Sequence, residues 1–529
     1  MLTLSLRDFI TFLLLGLVAT AILWGTKRTR SSPLPLPPGP RPLPIIGNLL
    51  DMPKNDMVTS LHELSRQYGE IVYLDVFGQP TIIIDSYDAA IAMLESRSAN
   101  TSDRPRFVMA ELTGLMYEFA LMGYGNSWRE RRRLFHSFLH QGVLAQYRPI
   151  HLHGVQRLLN KLLDEPAKFL DHGRHYIGGS IMDAVYGIEI KGENDQFVAF
   201  AEKGGRIFAD VMAPGRYLVE LFPILTLLPA WFPGANFKRN AEEKWKPIIS
   251  ALRSDAYDAT VEALGRGDAR PSITCSLVEN TIREKGSVSA EDEEIFKDVT
   301  GLAYSAGADT AGIFLHIMPR PRLTLQYQTF AILTAFFLAM AAYPEVQCTA
   351  HAEIDEVIGP DQLPDFSHRE ALPYVNAVLK ECTRWHTVVP LGVPHRATED
   401  DEYNGYFIPA GAVLIANAWA MSRDPIAYPE PDRFMPERFL KDGKLDPTVR
   451  DPLKFQFGFG RRICPGMHFS QDSLFIAMAS ILQAFEIHTP IGADAVGPKI
   501  PTGSALSHPD PFECSILPRS EVAAENARQ

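Results

Sequence analysis

The segment that most limits how this 529-residue chain can fold is Phe457-Gly-Phe-Gly460-Arg461-Arg462-Ile463-Cys464-Pro465-Gly466. It is too glycine-rich for regular structure and reads as a loop, with helical periodicity following over His468 to Phe485. Glycines let backbone approach a bulky planar ligand closely. A cysteine just ahead of a helix has its thiolate favoured by the dipole and by free N–H groups. Arg462 can pair with an anionic group of the same ligand. Thiolate ligation of haem iron suits this arrangement, because it pushes electron density toward O–O cleavage. A glycine-rich turn around an inert buried cysteine is the competing reading. Zinc held by Cys464 and His468 lacks a second ligand pair.

The rest of the chain bounds the class. The formal charge is 51 − 63 = −12, which argues against a general nucleic-acid binder. Five widely spaced cysteines fit a reducing compartment rather than a disulfide framework. Phe9 to Thr26 carries no charge over 18 residues, and Lys27, Arg28 and Arg30 follow it. As a helix it spans roughly 27 Å, about a thin endoplasmic-reticulum bilayer. The expectation is a membrane anchor over residues 1–30, with the body left in the cytosol. A cleaved signal peptide is the alternative. Ser31 to Pro44 holds seven prolines and makes a stiff spacer, so residues 31–50 read as a hinge.

The body is expected to be mainly α with a minor β part. Ile71 to Asp85 reads as two strands around Gly78-Gln79-Pro80. Helical stretches are Glu111–Leu121, Trp128–Leu139, Met182–Ile188, Phe197–Met212, Ala241–Leu264, Ala290–Thr310 and Leu372–Trp385. Strands return at Gly405–Ile408 and Val413–Ala418, and the polar tail over 518–529 reads as disordered.

With these residues in view, the chain resembles the cytochrome P-450 family. Phe457, Gly460, Arg462, Cys464 and Gly466 match its haem signature F-x-x-G-x-R-x-C-x-G at every fixed position. Glu381 and Arg384 look like its E-x-x-R pair, and Pro436-Glu437-Arg438-Phe439 looks like its P-E-R-F segment. The resemblance implies a structural charge cluster of Glu381, Arg384 and Arg438. Trp128 and Arg132 resemble its W-x-x-x-R helix, which implies bonds to a haem propionate, with Arg396 and Arg462 assisting. Others of Arg129, Arg131, Arg132 and Arg133 would form a cationic face for a redox partner. Ala306-Gly307-Ala308-Asp309-Thr310 resembles the oxygen-binding segment, with Asp309 and Thr310 relaying the protons that splitting dioxygen needs. The likeness runs over roughly Pro37 to Pro518. It implies the P-450 fold over 51–517, Cys464 as axial ligand of haem b, and a monooxygenase.

One stretch departs from the pattern. Ala311 to Gln328 reads AGIFLHIMPRPRLTLQYQ; without those 18 residues the chain would run AGADT-TFAILTAFFLAM, an unbroken helix. Pro319 and Pro321 would break a helix at about 3 kcal/mol each. Translated intron sequence or an inactive splice variant is the expectation; a loop bulging from the helix is the alternative.

Substrate contacts would fall on Phe107–Tyr124, Phe208–Leu228, Val388–Leu391 and Thr502–Leu506, including Met109, Leu112, Met116, Phe119, Val388 and Val389. Such walls suit a hydrophobic substrate. Leu228-Pro-Ala-Trp-Phe-Pro-Gly234, with the PPGP hinge, is most similar to fungal microsomal members related to O-methylsterigmatocystin oxidoreductase and tryptamine 4-monooxygenase. That implies secondary metabolism or detoxification acting on terpenoids, polyketides or aromatics. No flavin or nicotinamide fingerprint is present, so electrons would come from NADPH through a partner reductase, with cytochrome b5 as a further donor. A haem–thiolate isomerase or dehydratase that needs no reductase is the alternative activity.

Overall fold

The computed structural model describes residues 32–53, 56–190, 195–213, 215–308, 328–489, 507, 509 and 512–528. In chain order the main elements are α1 (Met57–Tyr68), β1 (Ile71–Val76), β2 (Gln79–Ile84), α2 (Asn126–Leu139), α3 (Arg148–Asp164), α4 (Phe169–Tyr186), α5 (Gln196–Met212) and α6 (Lys246–Arg266). They continue as α7 (Ile273–Lys285), α8 (Ala290–Ala308), α9 (Gln328–Ala342), α10 (Pro344–Val357), α11 (Pro373–Trp385), β3 (His395–Arg396), β4 (Val413–Ala416), α12 (Met467–Ala484), β5 (Phe485–His488), β6 (Ser515–Pro518) and α13 (Glu521–Arg528).

The larger sheet has the order β1-β2-β4-β3. β1 and β2 are antiparallel, with Val76 opposite Gln79, so the turn is Phe77-Gly78 and Gln79-Pro80 already lies in the strand. Both turn residues have positive φ, 50° and 84°, which matches the right-handed twist of the strands. β4 runs parallel to β2 and antiparallel to β3.

Two helical cores meet around α4. Its Tyr176 and Ile177 pack with α3, α9, α11 and α12. Its Ile181, Met182 and Val185 pack with α2, α6 and α8. α12 is buried on every side from Phe469 to Ala484. Several of its polar side chains are paired, as in Arg369 with Asp472 at 2.6 Å and the Gln483 Nε2 with the Gly359 carbonyl at 2.8 Å. The loop that precedes α12 therefore stands on the most enclosed helix of the fold.

Two expectations change. Glu111–Leu121 is not one helix: it holds the end of a short helix Val108–Thr113 and a tight turn Leu115–Tyr117, separated by Gly114 at φ 81°. Glu111 to Leu121 has apolar residues at helical spacing, but this glycine ends the turn. The expected disordered tail instead forms α13, with Ala523, Asn526 and Ala527 buried. The Asn526 amide donates to the Pro360 carbonyl and Gln156 donates to the Ala527 carbonyl. The proposed anchor, Phe9 to Thr26, lies outside the described residues, as do Asp309, Thr310, Thr502–Leu506 and nearly all of 311–328. Among the described residues no single helix is long and apolar enough to cross a membrane; the bent pair of α9 and α10 passes by length and composition, but α9 is core.

Candidate active site

The Phe457–Gly466 loop folds back on itself through the Cys464 N–H, which donates to the Phe457 carbonyl at 2.7 Å. Gly460 is required twice over. Its φ is 53°, and a Cβ there would stand 2.5 Å from the Leu94 carbonyl oxygen. Gly458 turns the chain at φ 82°. This geometry sets Cys464 against a cavity that Phe457, Gly466 and Phe469 also line. Burial pushes the Cys464 thiol up, while the Gly466 N–H, the Arg132 guanidinium and the Met467 N–H pull it down. An iron bound at this sulfur would offset the burial penalty and favour the thiolate, the form that ligates metal.

α2 brings Trp128 and Arg132 to the same cavity. The helix is held there by Arg131, whose Nε donates to Asp298 of α8 at 2.7 Å. Arg253 of α6 donates to the other oxygen of Asp298, also at 2.7 Å. Asp298 thus ties α2, α6 and α8 together from a buried position. Arg462 lies over the Trp128 ring, 4.5 Å from its centroid. It donates to the carbonyls of Ser102 at 2.7 Å, Met122 at 2.7 Å and Phe119 at 3.2 Å.

Arg104, which sequence reasoning missed, is a third guanidinium on the wall, buried like Arg462, whereas Arg132 is half-buried. It donates to the carbonyls of Ala120, Val393 and Pro394. Among the described residues none of Arg104, Arg132 and Arg462 forms an ion pair with a carboxylate. Burial holds Arg104 well below the usual guanidinium value and lowers Arg132 as well, and it brings Arg462 down to about 10. Buried cations without counter-charge are costly. Here they ring one cavity with a cysteine at its floor, which fits a planar ligand bearing two carboxylates and an iron. A haem meets those demands: Cys464 would hold the iron, and Arg104, Arg132 and Arg462 would face the propionates.

Arg396 is a correction. β3 alternates, so His395 turns inward and lines the cavity, its Nδ1 2.8 Å from the Thr101 carbonyl. Arg396 points outward, 45% exposed at its side chain, with Asp103 at 3.7 Å. The period of two along a strand was the signal that separates the neighbours. Arg104 had no such signal, because its loop has no periodicity to read.

Glu381, Arg384 and Arg438 form the expected cluster away from the cavity. Glu381 takes Arg384 in two bonds of 2.7 and 2.8 Å, Arg438 at 3.1 Å and the Met435 N–H at 2.8 Å. Arg384 spends its remaining donors on the carbonyls of Ser422 and Pro431. The cluster is buried yet fully bonded, so it fixes α11 against the chain around 422–438.

Of the expected substrate walls, Phe119, Ala120, Val388, Val389 and Leu391 line the cavity, with Leu302, Ala303 and Ala306 of α8. Met109, Leu112 and Met116 do not. They pack with Phe208 and Met212 in a separate apolar cluster.

A mainly helical fold and a cavity where one cysteine meets guanidiniums without carboxylate partners among the described residues match a haem–thiolate protein. The family model for cytochrome P450 matches residues 37–318 and 328–516. Cytochrome P450 monooxygenase COX1 of Coprinopsis cinerea is 40% identical over 497 residues, covering 92% of each chain. Tryptamine 4-monooxygenase of Psilocybe cyanescens is 35% identical, covering 96% of this chain and 98% of its own. Cytochrome P450 monooxygenase ple1 of Rhodocybe pseudopiperita is 36% identical, covering 93% and 91%. The chain belongs to the cytochrome P450 family and is a monooxygenase that incorporates molecular oxygen, using haem and electrons supplied by a reductase.

Proposed function

We propose that this monooxygenase inserts one oxygen atom into a hydrophobic small molecule, a terpenoid, polyketide or aromatic, in fungal secondary metabolism or detoxification. The observation that carries the reading is the cavity itself: Cys464 with Arg104, Arg132 and Arg462, none of them paired with a carboxylate among the described residues, and Phe119, Leu302, Ala303, Val388 and Val389 along the walls. Apolar walls favour a substrate that gains by leaving water. The haem supplies the oxygen-activating chemistry when bound. The chain's own residues hold its carboxylates, exclude water and position the substrate. Asp309 and Thr310 supply the acid and alcohol that pass protons into the cavity.

Electrons come from NADPH through a membrane-bound reductase, or through cytochrome b5. Arg129, Arg133 and Arg461 are exposed beside the haem-binding helix and loop, a cationic face for an acidic partner. Anchoring by residues 9–26 places the enzyme on the endoplasmic reticulum with its body in the cytosol. An exposed apolar strip supports that reading: Ile45 is 64% exposed, Ile224 71%, Leu227 79% and Trp231 80%. Phe222, edge-to-face with Phe77 with ring centroids 4.9 Å apart, joins the Ile224 segment to the β1–β2 turn. So large a patch suits contact with lipid.

A carbon monoxide difference spectrum of the reduced protein, with a screen for NADPH-dependent products, tests the reading. Both signals are expected in the native chain and absent from Cys464→Ala. Turnover without NADPH favours the isomerase or dehydratase alternative instead. An inactive splice form is the second reading, because the family match breaks at 319–327, inside the proline-bearing stretch.

A further inference from the structure

Beside its guanidiniums and its apolar walls, the cavity receives two neutral polar side chains from α11. Thr383 sits in the last turn of that helix and His386 just past its end, and both line the cavity while buried from solvent. At a spacing of three they share one helical face. Val388 and Val389 follow directly on the same wall.

Both groups already donate to protein carbonyls. The Thr383 hydroxyl donates to the Leu379 carbonyl at 2.8 Å. The His386 Nε2 lies 3.0 Å from the Ser507 carbonyl, which can only accept, so Nε2 carries the ring proton and Nδ1 the lone pair. Burial brings the ring down to about 4, so it is neutral at pH 7. Nδ1 has no partner among the described residues, and the ring borders open cavity. The polar edge that α11 gives the cavity therefore accepts hydrogen bonds and offers none. The Arg423 guanidinium donates to the neighbouring Trp385 carbonyl at 3.1 Å, and its charge acts on the ring. An ammonium group would meet that charge as well as the cavity's own guanidiniums, so the donor that fits is neutral. An amide would bring a carbonyl that this edge cannot bond, which favours a hydroxyl.

We propose that His386 is a specificity-determining residue of the substrate cavity, and that its Nδ1 accepts the hydroxyl proton of an otherwise apolar alcohol or phenol. This rests on the monooxygenase reading and narrows its substrate class. A buried acceptor without a partner is costly, so a ligand that brings a donor relieves the cost and one without a donor leaves it in place. Thr383 adds no competing donor, so an ether or carbonyl oxygen gains nothing on this edge. Val388 and Val389 then cover the carbon skeleton beside the hydroxyl.

The test is equilibrium dialysis of the full chain at pH 7 against two matched pairs of probes: 4-tert-butylphenol with 1-tert-butyl-4-fluorobenzene, and 1-adamantanol with 1-fluoroadamantane. Fluorine keeps the size of the hydroxyl and removes its proton. The expected result is roughly tenfold tighter binding of the hydroxyl member in at least one pair. His386→Gln can still donate to the Ser507 carbonyl from near the Nε2 position but loses the acceptor at Nδ1, so it is expected to lose the preference. His386→Asn keeps an acceptor near the Nδ1 position and gives up the Ser507 bond, and it is expected to retain most of the preference. A histidine that merely held Ser507 would give the opposite order. A hydroxyl that bonded the iron instead would keep its preference in His386→Gln. No preference for the hydroxyl in either pair, or an unchanged preference in His386→Gln, overturns the proposal. Dialysis does not need turnover, and the carbon monoxide spectrum reports the haem site separately, so failure here is distinct from failure of the monooxygenase reading.

Discussion

At the scale of single residues, the same residue type does opposite work according to where the backbone points it. Arg462 and Arg396 both lie in motifs whose family resemblance implies contact with a haem. Arg462 is buried and holds three carbonyls, whereas Arg396 is 45% exposed at its side chain. Arg462→Ala is expected to cut haem content severalfold and to cost at least ~2 kcal/mol, from the carbonyls left unpaired. Arg396→Ala should leave haem content unchanged and stability within ~0.5 kcal/mol. Haem per protein chain and urea unfolding check both. Sequence motifs named Cys464, Arg462, Trp128 and Arg132 because fixed spacing carries them. They did not separate His395 from Arg396, since that depends on which face of a two-residue strand is covered. Glu118 gives a second residue-scale prediction. Its folded pKa, raised from 4.5 to about 7 by burial, means the folded state holds a proton that the unfolded chain releases. Stability therefore falls as pH rises from about 4.5 to about 7, and the penalty persists above that range, by ~3 kcal/mol. Glu118→Gln should be more stable than the native chain at pH 8 and no more stable at pH 4.5, as measured by unfolding at both.

Elements show where periodicity is a sufficient signal and where it is not. Asn126–Leu139, Pro373–Trp385 and Met467–Ala484 all emerge within two residues of their expected bounds. Each carries a long apolar pattern or a capping proline that local chemistry can read. α13 was invisible for the opposite reason. Its buried face is made of Ala523, Asn526 and Ala527, too small and polar to stand out from solvent-facing composition. What holds it is tertiary: the Asn526 and Gln156 hydrogen bonds, and ion pairs of Arg528 with Asp164 and of Arg519 with Asp355, each at 2.6 Å. The ion pairs are largely exposed and contribute little. The hydrogen bonds and the covered surface of α3 contribute more. Ending the chain after Pro518 is expected to cost ~2–3 kcal/mol, from two part-buried hydrogen bonds and newly exposed apolar surface, without altering the haem spectrum. Thermal unfolding of the truncated chain checks the cost, and an unchanged melting temperature would show that α13 adds nothing.

For the whole molecule, the decisive question is how α8 and α9 are joined. Both pack against α4, α8 beside Ile181 and Met182 and α9 beside Tyr176 and Ile177, so one long helix could serve both cores. Ala308 and Gln328 bound them, and the family match breaks between 318 and 328. The sequence between carries two prolines and two arginines within four residues, Pro319 to Arg322. A continuous core helix excludes each of these on its own grounds: proline for its missing N–H, arginine for its charge. Composition made this legible from the sequence. A chain lacking residues 311–328 is expected to bind haem more fully, melt several degrees higher and couple electron uptake to product more tightly than the full chain. Transcript reads that consistently include those codons, together with equal haem content and equal turnover in the two chains, would show instead that the stretch is a working loop of the native enzyme.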